Sequence, residues 1–197
     1  MLNHIKEVLN DKIKIDLIKT QTGSFLNFNE HSPQSKIQHV KIEDIPDNSI
    51  AFTLDYDDPN DRSFKKLSPY FNADNDIGIN KSCDLVIFSL NEDNHDAENR
   101  ILKVDIIVTD IKSDCVTSNA QTQVNNSILF INYILSLLNE YYFFEVKPIF
   151  FRRRISSKPR KSPIGTRGKK DQSETKIVSV TVKNKHCVVK YSRLIVQ

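Results

Sequence analysis

No apolar run in this chain approaches the roughly 18 residues that a membrane-crossing helix requires. Residues Met1 to Glu7 mix acid, base and amide, and lack the apolar core of a secretory signal. A cytoplasmic location with no membrane partner is the expectation. There is no CxxC pair. The three cysteines, Cys83, Cys115 and Cys187, are too few and too far apart for a zinc ribbon or a disulfide scaffold. Cys83 and Cys187 lie in strand-like runs and read as small buried hydrophobes, and no histidine near Cys115 could activate it. The five histidines are scattered without an HxH or HExxH spacing, so zinc hydrolysis has no support. No internal repeat is visible.

Acidic residues are missing entirely between Lys147 and Lys170, where ten bases stand. The opposite bias holds from Asp55 to Asp110, with thirteen acids against six bases. The net charge of +3 hides this division. An acidic half suited to cations followed by a basic stretch suited to phosphates is a pairing found in enzymes that work on nucleic acids. With 39% hydrophobic and 27% charged residues, the composition is that of an ordinary globular protein, and 197 residues suffice for one domain with a core of its own.

Along the chain, Leu2, Ile5, Val8 and Leu9 recur at helical spacing and predict a short amphipathic helix. Residues 21–38 are polar and read as a loop. From Ile50 to Tyr56 the chain alternates, with Ile50, Phe52, Leu54 and Tyr56 on one face and Asp55 on the other, which predicts a strand. Cys83–Leu90 and Ile101–Ile111 predict an antiparallel hairpin with residues 91–99 as its connection. Ser118 followed by Gln121 reads as a capping box. The Val124, Ile128, Ile131, Leu135, Leu138 stripe then predicts a helix to about Asn139, apolar enough to pack over much of its circumference. Val146–Phe151 reads as a strand. Residues from about 152 to 172 read as a flexible basic loop, and Lys176–Val182 with His186–Val196 as a C-terminal β-hairpin. The whole is a mixed α/β or α+β sheet flanked by helices.

One constellation in this order carries chemistry. Asp84 begins the first strand of the central hairpin, and Asp110 ends the second. Strand alternation sets Asp110 and Lys112 on one face in phase with Ile106 and Val108. With Asp84 nearly opposite Asp110, their Cβ atoms would stand about 5 Å apart. Two carboxylates and a lysine then converge at one end of an apolar hairpin, a donor set suited to a hard divalent cation.

A strand-start Asp, a hairpin, an acid-X-Lys at the end of the second strand, and then a long helix: this layout resembles the PD-(D/E)XK, restriction-endonuclease-like nuclease superfamily. The matching residues are Asp84 and Asp110-Ile111-Lys112. Ser113 follows as the small residue after the lysine, Gln121 or Gln123 falls in the helix's first turns, and Lys81-Ser82-Cys83-Asp84 is similar to the strand entry of some members. The resemblance covers roughly residues 79–139. No proline precedes Asp84, and Asp110 stands where Glu is commoner, one methylene shorter in reach.

What the resemblance implies is a nuclease, acting on DNA in preference to RNA, with a host-defence or mobile-element setting as a family association. Asp84, Asp110 and the carbonyl of Ile111 would hold Mg²⁺ or Mn²⁺. Lys112 would orient the attacking water and stabilise charge on phosphorus. Gln123, more than Gln121, would steer the water or a phosphate from the helix N-terminus, and Glu7 is an additional candidate acid. The basic arm, with Arg152, Arg153, Arg154, Lys158, Arg160 and Lys161, offers guanidinium forks for phosphate. It holds few aromatics for base stacking and would contribute affinity independent of sequence. Two other readings stay open: a nucleic-acid-binding module of the same fold that does not cleave, and a protein-interaction or inhibitor protein. A homodimer or a protein partner is also left open.

Overall fold

A computed structural model describes residues 2–30, 34–56, 60, 78–96, 101–112, 118–137, 143–153 and 176–195. Among these the chain forms an α+β fold with two mixed sheets and few helices. Its elements are α1 (Leu2–Val8), β1 (Lys14–Ile15), β2 (Ile18–Thr20), β3 (Gly23–Asn29), β4 (His39–Ile45), β5 (Ser49–Phe52), β6 (Leu85–Asp96), β7 (Ile101–Lys112), α2 (Ser118–Leu137), β8 (Phe143–Arg153), β9 (Lys176–Val180), β10 (His186–Lys190) and α3 (Ser192–Ile195).

Six strands form one sheet in the order β1-β5-β6-β7-β8-β9, and four form the other in the order β10-β4-β3-β2. In the larger sheet β5, β6 and β7 run as an antiparallel meander. The chain then passes through α2 and returns as β8, parallel to β7. A parallel neighbour requires such a crossover, because a tight turn can join only antiparallel strands.

The side-chain alternation of β6 and β7 sorts the core into two layers. Leu85, Ile87, Ile107 and Ile111 face the smaller sheet, where they meet Leu26, Val40, Ile42, Cys187 and Val189. Val86, Phe88, Ile106 and Val108 face the helices and pack with Ile5 and Leu9 of the N-terminal segment and with Ala120, Val124, Ile131 and Leu135 of α2. The near-continuous apolar runs of β6 and β7 follow from this: a strand covered on both faces has no solvent side to mark with polar residues. No helix among the described residues is long and apolar enough to cross a membrane.

Several expectations are corrected. The C-terminal β-hairpin does not form: β9 joins β8 in the larger sheet, while β10 pairs in parallel with β4 in the smaller one. The turn through Asn184 and Lys185, both at positive φ, lifts the chain from one sheet to the other. Val178 and Val180 then meet Cys187 and Val189 across the shared core instead of pairing edge to edge. The supposed loop at 21–38 contains β3, whose Ser24 and Leu26 are buried. The central hairpin is longer than expected, because β6 continues to Asp96 after a register irregularity beyond Asn91. The strand expected over Ile50–Tyr56 ends at Phe52, although Ile50, Phe52 and Leu54 do share one core. Nor does α2 pack over most of its circumference, since Leu129, Tyr133 and Leu137 are exposed. The flexible basic loop lies, beyond Arg153, outside the described residues, as do Cys115 and Leu138.

One charged pair is buried within this framework. Lys147 Nζ lies 2.9 Å from Asp105 Oδ1, with side chains 15% and 6% exposed. Removing one partner of such a pair strands the other charge. Asp105→Ala should therefore cost about 3–5 kcal/mol in urea unfolding; a loss below about 1 kcal/mol, the level of an exposed pair, would show that Lys147 finds solvent freely.

Candidate metal and phosphate site

The ladder between β6 and β7 sets Leu85 across from Thr109 and Val86 across from Val108. Extended one step past Leu85, the same register sets Asp84 across from Asp110. Asp84 lies in the bend just before β6, where regular pairing has stopped. The backbone N–H of Ile111, which would otherwise continue the ladder, donates to Asp84 Oδ2 at 2.6 Å. Asp84 thus caps the sheet edge with its side chain and reaches the end of β7 through it.

Both carboxyl groups are buried, Asp84 at 6% exposure and Asp110 at 0%. They are within hydrogen-bond contact of each other. Burial, first of all, pushes the Asp84 carboxyl well above the usual carboxylate range; the charge of Asp110 and the hydrogen bond with it act in the same direction, with a further push from Glu30, against which the Ile111 N–H pulls down. Two buried acids in contact cannot both be ionised without a compensating positive charge. They share a proton, or they hold a cation. This donor chemistry fits a hard divalent ion. Among the described residues no group of three or more His, Cys, Asp or Glu comes together as a ligand set, so further oxygen ligands would be main-chain carbonyls, such as that of Ile111, or water.

The N-terminal half of α2 is tied to the approach to Asp84. Ser127 Oγ accepts the Cys83 N–H at 2.8 Å and donates to the Gln123 carbonyl at 2.9 Å. Asn126 Nδ2 reaches the carbonyls of Gly78, Ile79 and Lys81 at 2.9, 3.2 and 3.1 Å. Gly78 takes φ +72°, and a Cβ there would stand 2.9 Å from the Lys81 side chain, so the turn that Asn126 grips is built for glycine. Lys81 Nζ reaches Asn119 Oδ1 at 3.4 Å and so sets a cation beside the first turn of α2.

The predicted residues divide as follows. Asp84, Asp110 and the backbone of Ile111 come together. Lys112 ends β7, and its backbone pairs with Arg152 of the parallel strand β8; Arg153 pairs with Val180. The side chains of Lys112, Arg152 and Arg153, and the whole of Arg154, Lys158, Arg160 and Lys161, lie outside the described residues. Gln123 is half-buried in the second turn of α2, and Gln121 donates to Asn125 Oδ1 at 3.0 Å. Glu7 is exposed on α1. Cys83, buried beside the acids, has its thiol pushed far up by burial and is excluded as a nucleophile. Sequence reasoning missed Glu30, which arrives from the end of β3 in the other sheet. It also missed Asn126 and Ser127, which stand in the largely polar N-terminal half of α2, where nothing in the sequence sets them apart from their neighbours.

Comparison with known proteins finds no matching family model, no matching curated protein and no matching solved structure.

The raised Asp84 gives a pH prediction for the metal-free protein. Above about pH 4 the unfolded chain has released this proton while the folded protein still holds it. The contribution is fully present below that pH and is lost as pH rises toward the folded value. Asp84→Asn keeps the shape and removes the titration, so its stability should fall less than that of the wild type between about pH 4.5 and pH 8. Identical slopes in urea unfolding would mean that Asp84 ionises at its ordinary value.

Proposed function

We propose that this protein is a metal-dependent nuclease of the PD-(D/E)XK type, acting on phosphodiester bonds, with DNA as the favoured substrate. The observation that carries the proposal is the contact between Asp84 and Asp110 at the sheet end where β7 finishes in Ile111 and Lys112. The order of elements supports it: an antiparallel meander, a crossover helix and a parallel fourth strand, with Asp84 in the bend just before the second strand and Asp110 on the third.

A phosphodiester repels nucleophiles through its own negative charge. Mg²⁺ or Mn²⁺ held by Asp84, Asp110 and the Ile111 carbonyl would supply positive charge to the phosphoryl oxygen and acidify a water. Lys112, two residues beyond Asp110 at the end of β7, would stabilise charge developing on phosphorus. The parallel pairing of Lys112 with Arg152 puts the first residue of the basic arm on the strand next to β7. The arm would then hold the backbone of the nucleic acid while the acids act on one phosphate. Lys81, at the first turn of α2, is a second candidate contact for phosphate, where helix N–H groups also favour anions.

The near-complete burial of both acids favours one alternative, a nucleic-acid-binding module of the same fold that does not cleave. The decisive experiment is incubation with DNA and RNA panels in Mg²⁺, Mn²⁺ or EDTA. Cleavage should require metal. Asp84→Ala and Asp110→Ala should each abolish it, while Lys112→Ala should slow it by about 10²–10³-fold. Wild-type protein that binds nucleic acid but cleaves none with any metal would leave the non-cleaving module.

Binding tests the arm separately. Replacing Arg152, Arg153 and Arg154 with Ala should weaken binding to all sequences. It should also reduce the slope of log affinity against log salt by about 0.9 for each phosphate that the arm no longer neutralises. An unchanged slope would assign the arm to a protein partner instead.

A further inference from the structure

Of the seven large apolar side chains exposed among the described residues, Val8, Ile18, Ile177 and Val188 stand singly on separate elements, and the other three share one helix. Leu129, Tyr133 and Leu137 are 67%, 59% and 64% exposed and stand four residues apart on α2, so they form one continuous ridge along the helix. Core-facing residues of the same helix, Val124, Ile131 and Leu135, are already buried against the sheet. The ridge is therefore a second apolar face, left over after the fold has used the first.

Two properties select the occupant. The first is charge: the twenty residues from Ser118 to Leu137 contain no acid and no base. A charged partner would find nothing to pair with here, whereas a second copy of α2 brings no charge to desolvate and none to repel. The second is symmetry. The sequence Leu-x-x-x-Tyr-x-x-x-Leu is the same read in either direction, with Tyr133 at its centre. A two-fold axis through Tyr133 sets two such helices antiparallel, with Leu129 of each against Leu137 of the other and the two tyrosine rings meeting on the axis. Isologous contacts demand this self-complementarity, and a ridge of residues four apart is what helix-on-helix packing interdigitates.

We infer that the protein associates as a two-fold dimer through this face of α2. Tyr133 lies ten residues beyond Gln123, about 15 Å along the helix axis, so the contact leaves the N-terminal end of α2 and the neighbouring acids uncovered. Three side chains that each bury on the order of 100 Å² fall short of the roughly 600–1,000 Å² that each partner gives to a standard interface. The dimer is accordingly weak and reversible, monomeric near about 1 µM and increasingly dimeric toward about 1 mM. The inference stands apart from the nuclease reading, since it uses no residue of that site.

Analytical ultracentrifugation over that concentration range tests it. The weight-average mass of the wild type should rise toward twice the monomer mass. Tyr133→Glu, which sets two like charges on the axis, should remain monomeric while keeping the circular dichroism and melting behaviour of the wild type. The antiparallel register has its own test. Leu129→Lys and Leu137→Glu should each be monomeric alone, and an equimolar mixture should associate, because residue 129 faces residue 137 across the axis. A wild type that stays monomeric throughout, as it would if another segment of its own chain or a foreign partner covered the ridge, overturns the inference. So does a dimer that survives Tyr133→Glu, or a mixture that fails to associate.

Discussion

The antiparallel pairing of β6 with β7 fixes Leu85 across from Thr109, and one residue beyond the end of that ladder Asp84 comes beside Asp110. Most of what the protein can do chemically depends on that register. A slip of one residue would turn Val86 and Phe88 away from α2 and drive Leu85 and Ile87 out of the core they share with the smaller sheet. Because both faces of these strands are buried, either error would cost several buried aliphatic side chains at once. The apolar core thus specifies which acid meets which, and it does so without any attraction between the acids themselves, whose contact opposes folding whenever both are charged.

That opposition has to be met by the surrounding structure. The Ile111 N–H donates to Asp84, Ser127 holds the Cys83 backbone, and Asn126 grips the turn from Gly78 to Lys81. Together these bonds leave the Asp84 segment little freedom to swing into water, where its carboxyl would ionise at no cost. A site that stores unfavourable electrostatics in a rigid frame is one whose occupancy by a cation is favoured by relief of that repulsion as well as by the bonds formed. Lys147 and Asp105 illustrate the contrasting case, a buried acid whose cation is supplied by the chain itself.

Much of the central hairpin and of α2 was legible because each carries its pattern within a single run. Cys83–Leu90 and Ile101–Ile111 are apolar on both faces, and the Val124, Ile128, Ile131, Leu135 spacing admits only one helical face. The alignment of Asp84 with Asp110 followed from assuming that those two runs pair end to end. The smaller sheet was harder to read. In β3 and β4 the outward positions are Asn27, Asn29, His39 and Asp44, and they resemble a polar loop unless Ser24, Leu26, Val40 and Ile42 are recognised as the inward set. At the C-terminus, a short Asn-Lys turn serves equally well to pair two strands or to arch between two sheets; the choice is made by Val178, Val180, Cys187 and Val189 seeking a common core, which is tertiary information. Glu30 belongs to the same class, since its approach to Asp84 depends on how two sheets stack and not on any spacing within the chain.

Whether Asp84 and Asp110 act together as one divalent-cation site is the question on which the functional reading turns, and Mn²⁺ binding followed by electron paramagnetic resonance answers it without reference to any substrate. The wild type at neutral pH should take up one Mn²⁺ per chain, with Mg²⁺ competing for the same site. Both Asp84→Asn and Asp110→Asn should lose it, because one carboxylate alone holds such an ion weakly against its hydration shell. A wild type that leaves the free Mn²⁺ signal undiminished, or an Asp110→Asn variant that binds as the wild type does, would contradict a shared site.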